Sequence, residues 1–258
     1  MLPAPCRMED AWVLGGDWRE CPWSGVEAML AGGLERPLVV MAPLASNGEA
    51  LAPWLSAPEQ ARCVRYRRSA DRLRCASAHA LKRRVLAALL GVRPRALALV
   101  QGAYGKPALA NGALAFNLSH AGDWVALACD PAGAVGVDLE QPAARHRGIE
   151  GITIGHPADR LEPLPVSVEQ GFYVTWTLKE AVTKGVGLGL GVEFATLALR
   201  PQGDGRYRCR CRGQCWYARH QCLDGGVHLA LACRRCWTRV DWWRLSWGAA
   251  QFAPVLPR

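Results

Sequence analysis

The sequence predicts an α+β fold made of two helix-and-strand halves set side by side. Three observations carry this. Two long stretches, residues 56–91 and 167–187, have the spacing of amphipathic helices. Short apolar runs with alternating pattern, separated by turn residues, follow each of them. The order of helix then strands occurs twice, although no repeat is visible in the letters themselves. At 258 residues the chain is long enough for such a pair of halves. A chain of this size buries roughly three quarters of its unfolded surface, so neither disulfides nor structural metal is required for stability.

The elements follow in order. Residues 1–35 are rich in Gly, Pro and Trp without a clear period, and read as an irregular N-terminal extension. An N-terminal half then spans 36–134 and a C-terminal half 135–258. "RPLVVMAPL" (36–44) is a strand. Across 56–91, Ser56 supplies an N-cap, Gly91 with Pro94 ends the helix, and one break falls between them. Leu73, Leu81, Val85, Leu86, Leu89 and Leu90 form its core-facing stripe. Its other face carries Arg62, Arg65, Arg67, Arg68, Arg72, Arg74, Lys82, Arg83 and Arg84, expected to be solvated charge. So many cations without matching acids point to a nearby anion. "ALALVQGAYGKPAL" and "LAFNLSHAGDWVALACD" read as strands with a turn at Gly105-Lys106-Pro107. "AGDWVALAC" fits a strand or a buried helix equally, because a short apolar run has no distinguishing period. Residues 141–168 are a proline-rich loop with at most one short helix. The helix over 167–187 starts from Ser167 and stops at the glycines that follow. The remainder is strands, with Asp224-Gly225-Gly226 as a hairpin turn. The aromatic tail "CWTRVDWWRLSW" is a final strand laying its tryptophans on the sheet.

Composition narrows the class. Half the residues are apolar and 21% charged, as in an ordinary globular protein. No run is long enough to span a bilayer, and the first thirty residues lack the continuous apolar region of a signal peptide. The eleven cysteines are then expected as reduced thiols in the cytoplasm. A net charge of +9 favours an anionic partner without choosing among nucleic acid, an acidic protein and a phosphorylated ligand.

One stretch conflicts with its surroundings. In "AVGVDLEQP" (134–142), Val135, Val137 and Leu139 alternate with Gly136, Asp138 and Glu140. Strand geometry puts both carboxylates on one face, where they repel and are costly to bury. On the second helix, Trp176, Glu180 and Lys184 lie at i, i+4 and i+8 and share a face. The apolar "GFYVTW" before them argues that this face is buried. Asp138, Glu140 and Glu180 together would relieve their repulsion by holding a hard divalent cation, such as Mg²⁺, which takes a few carboxylates plus water and phosphate oxygens. Taken alone, such a carboxylate pair is more often a polar strand face. The glycines at 185, 187, 189 and 191 follow a helix rather than open one, so they read as its terminator and not as a phosphate loop. Lys106 on its turn and Ser119-His120 after an apolar run have ordinary structural readings by themselves. Of the C-terminal cysteines, only Cys233-x-x-Cys236 has zinc-ligand spacing, with no second pair to match it.

In this order, "YGKP" (104–107), "FNLSH" (116–120), "VGVDLE" (135–140) and "WTLKEAVTKGVGLGL" (176–190) resemble the Sfp-type 4′-phosphopantetheinyl transferases. The basic stretch "SAPEQARCVRYRRSADRLRC" resembles that family's first helix, although Glu59 stands where a basic residue can occur. The resemblance runs from about residue 36 to the C-terminus. It implies two pseudo-symmetric α+β halves with coenzyme A in the cleft between them. It also implies transfer of the phosphopantetheine arm to a serine of an apo acyl, polyketide or peptidyl carrier protein, releasing adenosine 3′,5′-bisphosphate. Carried over by position, Asp138, Glu140 and Glu180 would hold Mg²⁺, and Lys184 would sit at the pyrophosphate. Glu180 and Lys184 would be the catalytic pair. Lys106, Ser119 and His120 would contact the coenzyme, and Arg62 and Arg74 would face its 3′-phosphate. A cytoplasmic monomer without nucleic-acid or membrane partners is expected. Two other readings compete: a basic nucleic-acid-binding module with cysteine-bound zinc, which leaves the three carboxylates unexplained, and a different Mg²⁺-dependent phosphoryl or nucleotidyl transferase.

Overall fold

The computed structural model describes residues 18–102, 104–142, 154–162, 165, 167–188, 191–203 and 205–247. Half of the proline-rich loop and residues 1–17 therefore lie outside the described residues. Two five-stranded sheets, each backed by helix, form the body. The first has the order β1 (Arg19–Pro22), β12 (Asp241–Ser246), β2 (Leu38–Pro43), β6 (Trp124–Asp130), β5 (Ala115–Ala121). The second has the order β7 (Val135–Glu140), β11 (Val227–Cys233), β10 (Gln214–Leu223), β9 (Arg206–Cys211), β8 (Arg200–Pro201) and is antiparallel throughout. A small hairpin of β3 (Leu99–Gln101) and β4 (Pro107–Leu109) carries the Gly105-Lys106 turn.

The helices are α1 (Trp23–Leu30), α2 (Ala57–Val64), α3 (Ser69–Leu90) and α4 (Val168–Val186). The expected break in the first long helix separates α2 from α3. The α2 start is a capping box: Glu59 Oε2 accepts from the Ser56 backbone N–H at 2.9 Å. Gly91 ends α3 in the left-handed region, at φ 63°. From α3, Leu81, Val85 and Leu86 are buried against the first sheet, while Leu73, Leu89 and Leu90 are only partly covered. Helix α4 buries Val174, Leu178, Ala181 and Val182 on the second sheet. Between the sheets, Val39 and Met41 of β2 pack with Val137, Leu139, Leu229 and Leu231. The ambiguous "AGDWVALAC" is the strand β6.

Three readings of the sequence are corrected. Residues 19–30 are not irregular but form β1 and α1, because Trp23, Val26 and Leu30 recur on one helix face and enter the first core. The last strand does not stay with the C-terminal half: β12 runs parallel to both β1 and β2 in the first sheet. Its Trp243 and Leu245 face one core and Trp242 the other, which is why its tryptophans need an interior place in that sheet. Lys82 and Arg83 are not solvated. Both are buried around Glu59, with Lys82 Nζ 2.6 Å from Oε1 and Arg83 Nε on Oε2.

The sheets meet at their end strands, β5 and β7. Asn117 Oδ1 accepts from the Val137 N–H at 2.8 Å and Ser119 Oγ from the Leu139 N–H at 3.2 Å. Side chains of one edge strand thus satisfy backbone donors of the other, and Ser119 is brought against Asp138.

Candidate active site

Strand β7 sends Val135, Val137 and Leu139 into the inter-sheet core and turns Asp138 and Glu140 the other way, towards α4. The closeness of that approach depends on Gly136. A Cβ there would lie 1.9 Å from the Ala181 carbonyl oxygen and 2.5 Å from the Gly185 nitrogen. Gly185 is constrained in turn, since its own Cβ would meet the Trp216 ring at 2.4 Å. Ser167 caps the start of α4 by accepting from the Gln170 N–H at 3.1 Å, and Gly187 ends it at φ 87°.

At this crossing Trp176, Glu180 and Lys184 present their common face to β7. The Trp176 indole N–H donates to Glu140 Oε1 at 3.2 Å. Lys184 Nζ donates to Asp138 Oδ1 at 2.5 Å and to Ser119 Oγ at 3.1 Å. The Ser119 hydroxyl donates in turn to Asp138 Oδ1 at 3.1 Å. Asp138 is 2% exposed, and its second carboxylate oxygen, Oδ2, is buried without a hydrogen-bond partner.

The electrostatics record an excess of negative charge. Burial and then the Asp138 charge push the Glu140 carboxyl up to about 7. Burial also raises Glu180, against the opposing pull of Lys184. Burial disfavours the Lys184 ammonium, yet Asp138 and Glu180 overcome it and hold its pKa above the ordinary lysine value. One ammonium among three carboxylates leaves the pocket short of positive charge.

A hard cation fits this set. The donors are carboxylate oxygens, one of them orphaned, and a divalent ion would relieve the repulsion that raises Glu140. Among the described residues no group of three or more His, Cys, Asp or Glu side chains is placed so that it could hold a metal ion. Mg²⁺ can bind through one or two carboxylates with its remaining positions on water or phosphate, and Asp138 Oδ2 is free for such a contact.

The other expected site residues fare differently. His120 follows Ser119 on β5 and reaches solvent. Its pKa is lowered first by surrounding protein and then by the Lys184 and Arg74 charges, so it shares their positive field. The Arg74 guanidinium donates to the Gly122 carbonyl at 3.0 Å and pairs with Asp71 at 2.6 Å. Arg62 is exposed on α2. Lys106 is half-buried rather than exposed on its turn. Its Nζ donates to the carbonyls of Val135 at 2.9 Å and Gly185 at 2.8 Å, clamping β7 to the end of α4, and burial lowers its pKa to about 8. Its ammonium is occupied with backbone.

Two residues near the site escaped the sequence reading. Lys179, beside Glu180, is wholly buried and donates to Asp159 Oδ2 at 2.7 Å and to the carbonyls of Ile154 at 2.7 Å and Phe194 at 3.1 Å. It ties loop 154–162 to α4; a lysine within an apolar helical run was the available signal. His228 is the cross-strand neighbour of Glu140 and stacks on Tyr173 with ring centroids 5.2 Å apart. Burial lowers its pKa to about 4, and nothing in its sequence neighbourhood marked it. Cys233 lies in the inter-sheet core, and the exposed Cys236 receives an Arg206 N–H at 2.9 Å.

The end strand β7 and helix α4 thus bring together Asp138, Glu140, Glu180 and Lys184 where the two sheets meet, with Asp138 Oδ2 unpartnered. Comparison with known proteins specifies the class. Residues 42–132 match the family described as 4′-phosphopantetheinyl transferase, N-terminal, and residues 134–232 match the 4′-phosphopantetheinyl transferase superfamily. A phosphopantetheinyl transferase of Thraustochytrium sp. is 32% identical over 61% of this chain and 62% of its own length. The 4′-phosphopantetheinyl transferase HetI of Nostoc sp. is 31% identical over 58% of this chain and 68% of its own. A 4′-phosphopantetheinyl transferase of Bacillus subtilis is 26% identical over 67% of this chain and 75% of its own. The chain belongs to the 4′-phosphopantetheinyl transferase superfamily, a family of transferases. No described helix is long and apolar enough to cross a membrane.

Proposed function

We propose that the protein transfers the 4′-phosphopantetheine arm of coenzyme A to a serine of an apo acyl or peptidyl carrier protein, releasing adenosine 3′,5′-bisphosphate. The observation that carries this reading is the Ser119–Asp138–Lys184 constellation. Three segments of the family pattern, far apart in the chain, converge there on one carboxylate with an oxygen to spare. Asp138, Glu140 and Glu180 would hold Mg²⁺, which supplies positive charge against the coenzyme pyrophosphate. Lys184, kept protonated by its carboxylate neighbours, orients a pyrophosphate oxygen and stabilises the negative charge that develops on the departing phosphate. Glu180 is either a tight Mg²⁺ ligand or the base that takes the proton of the carrier serine, and burial, which raises its proton affinity, favours the second role. His120 and Arg74 add positive field on the β5 side, and Arg62 faces the 3′-phosphate. Lys106 serves the site by fixing β7 against α4. The basic chain suits the acidic surface of a carrier helix. The reading places a monomer in the cytoplasm, where the coenzyme and its carriers meet.

Intact-protein mass spectrometry tests this. An apo fatty-acid carrier and an apo peptidyl carrier are each incubated with the protein, coenzyme A and Mg²⁺, with and without EDTA. A metal-dependent gain of one phosphopantetheine is expected on at least one carrier. No gain on either, from folded protein, overturns the proposal. Glu180→Gln separates the roles of that residue: loss of transfer with retained Mg²⁺ binding identifies the base.

A further inference from the structure

The corner between α2 and α3 holds chemistry that phosphopantetheine transfer does not use. Cys63 on the last turn of α2 and Cys75 on the second turn of α3 both point inward, and their sulfur atoms are 2.9 Å apart. Both are buried, among Ala45, Leu51, Leu55, Ala76 and Ala80. Packing alone asks for a small apolar group at each position, not for two thiols in register.

The surroundings make one sulfur reactive. His79 lies one turn beyond Cys75 and is set by Glu59 Oε1 at 3.3 Å and Lys82 Nζ at 3.0 Å. The Cys63 S–H directed at Cys75, together with His79 and the Arg62 charge, lowers the Cys75 thiol below its ordinary value against the effect of burial. The same contact raises Cys63, the resolving partner. A cavity of about 860 Å³ is lined by Cys63 and by Ala76, the chain neighbour of Cys75, with Leu55, Gln60, Ser69 and Leu73, so a small oxidant reaches the pair from the Cys63 side.

We propose that Cys63 and Cys75 are a reversible redox site, a dithiol that hydrogen peroxide converts to an intramolecular disulfide joining α2 to α3. The Cys75 thiolate attacks one peroxide oxygen and breaks the O–O bond. The hydroxide released takes up a proton and leaves as water, and Cys75 becomes a sulfenic acid. The Cys63 sulfur then displaces the sulfenic oxygen, which departs as a second water with the Cys63 proton. Two thiols and one peroxide thus give one disulfide and two waters, the sulfurs losing the two electrons that the peroxide gains. To reach the bond length of about 2.05 Å the sulfurs need only a small further approach. A dithiol reductant reverses the bond by exchange. In a reducing compartment, a transient pair of this kind is the usual form of a sensing disulfide.

The test uses the full chain and does not depend on transfer activity. Protein is exposed to hydrogen peroxide, free thiols are blocked with N-ethylmaleimide under denaturant, and peptides are mapped without reduction. The expected product joins the peptides of Cys63 and Cys75, is lighter by two hydrogens than their sum, and disappears with dithiothreitol. In Cys63→Ser, Cys75 is expected to stop at the sulfenic acid and to be trapped by dimedone. Both cysteines recovered as maleimide adducts while the exposed Cys236 is oxidised would overturn the proposal. So would a Cys75 that dimedone does not label in that variant.

Discussion

Replacing Gly136 with alanine tests the strand–helix crossing that builds the site. The added Cβ would stand 1.9 Å from the Ala181 carbonyl oxygen and 2.5 Å from the Gly185 nitrogen. Both obstacles are backbone, so no rotamer change relieves them. To reach the 3.0 Å that real Cβ atoms require, β7 and α4 must part by about 1 Å. That movement pulls on the Lys106 clamp between Val135 and Gly185, and on the 2.5 Å pair between Asp138 and Lys184. Overpacking of this kind costs about 1–3 kcal/mol. In a chain of this size that corresponds to a melting temperature lower by roughly 2–12 °C. A misplacement of about 1 Å at the reacting groups lowers transfer by roughly a hundredfold. Circular-dichroism melting and the carrier-loading assay read the two effects. A variant that melts within about 1 °C of the parent and loads carrier at the parental rate would refute the argument that this close approach positions the carboxylates.

Three further outcomes are expected. In metal-free protein, added Mg²⁺ raises the melting temperature of the parent but not of Asp138→Asn, because ligation stabilises only the folded chain; equal shifts by scanning fluorimetry would remove Asp138 from the metal site. With EDTA present, the pKa of Glu140, raised to about 7, lets the folded chain keep a proton that the unfolded chain releases from the ordinary carboxylate range upward. Stability therefore falls as pH rises through that window, and urea midpoints on either side should show a flatter slope in Glu140→Gln. Glu59→Ala leaves Lys82 and Arg83 buried without their counter-ion and should cost about 3–5 kcal/mol in urea unfolding. Because that carboxyl is held below its usual range by His79, Lys82 and Ser56 against burial, the stability it provides is present above the unfolded carboxylate pKa. It is lost as pH falls through the folded value. A loss under about 1 kcal/mol would mean the two cations are hydrated.

Much of the site was legible because it depends on local periodicity. The two-residue period of β7 put Asp138 and Glu140 on one face. The helical period of α4 aligned Trp176, Glu180 and Lys184, and Ser167 and Gly187 marked the helix ends as their side-chain chemistry demands. The errors came where a partner lay far away in the chain. Lys82 and Arg83 read as solvent-facing because the acid that neutralises them, Glu59, sits on a different helix 23 and 24 residues earlier. Lys106 by its turn alone read as an exposed lysine, whereas it is half-buried on carbonyls 29 and 79 residues away.

The amino-acid sequence by itself determined the elements, the faces of β7 and α4, the surplus of carboxylates and the order of the family motifs. These follow from backbone periods and from which side chains end helices, both local properties. Only the tertiary structure decided that β12 closes the first sheet beside β1, that β5 and β7 meet through Asn117 and Ser119, and that Gly136 sets the distance between carboxylates and lysine. It also decided that Asp138 keeps an unpartnered oxygen. Parallel pairing, edge contacts and orphaned atoms are relations between distant segments, governed by packing and desolvation that no local pattern encodes.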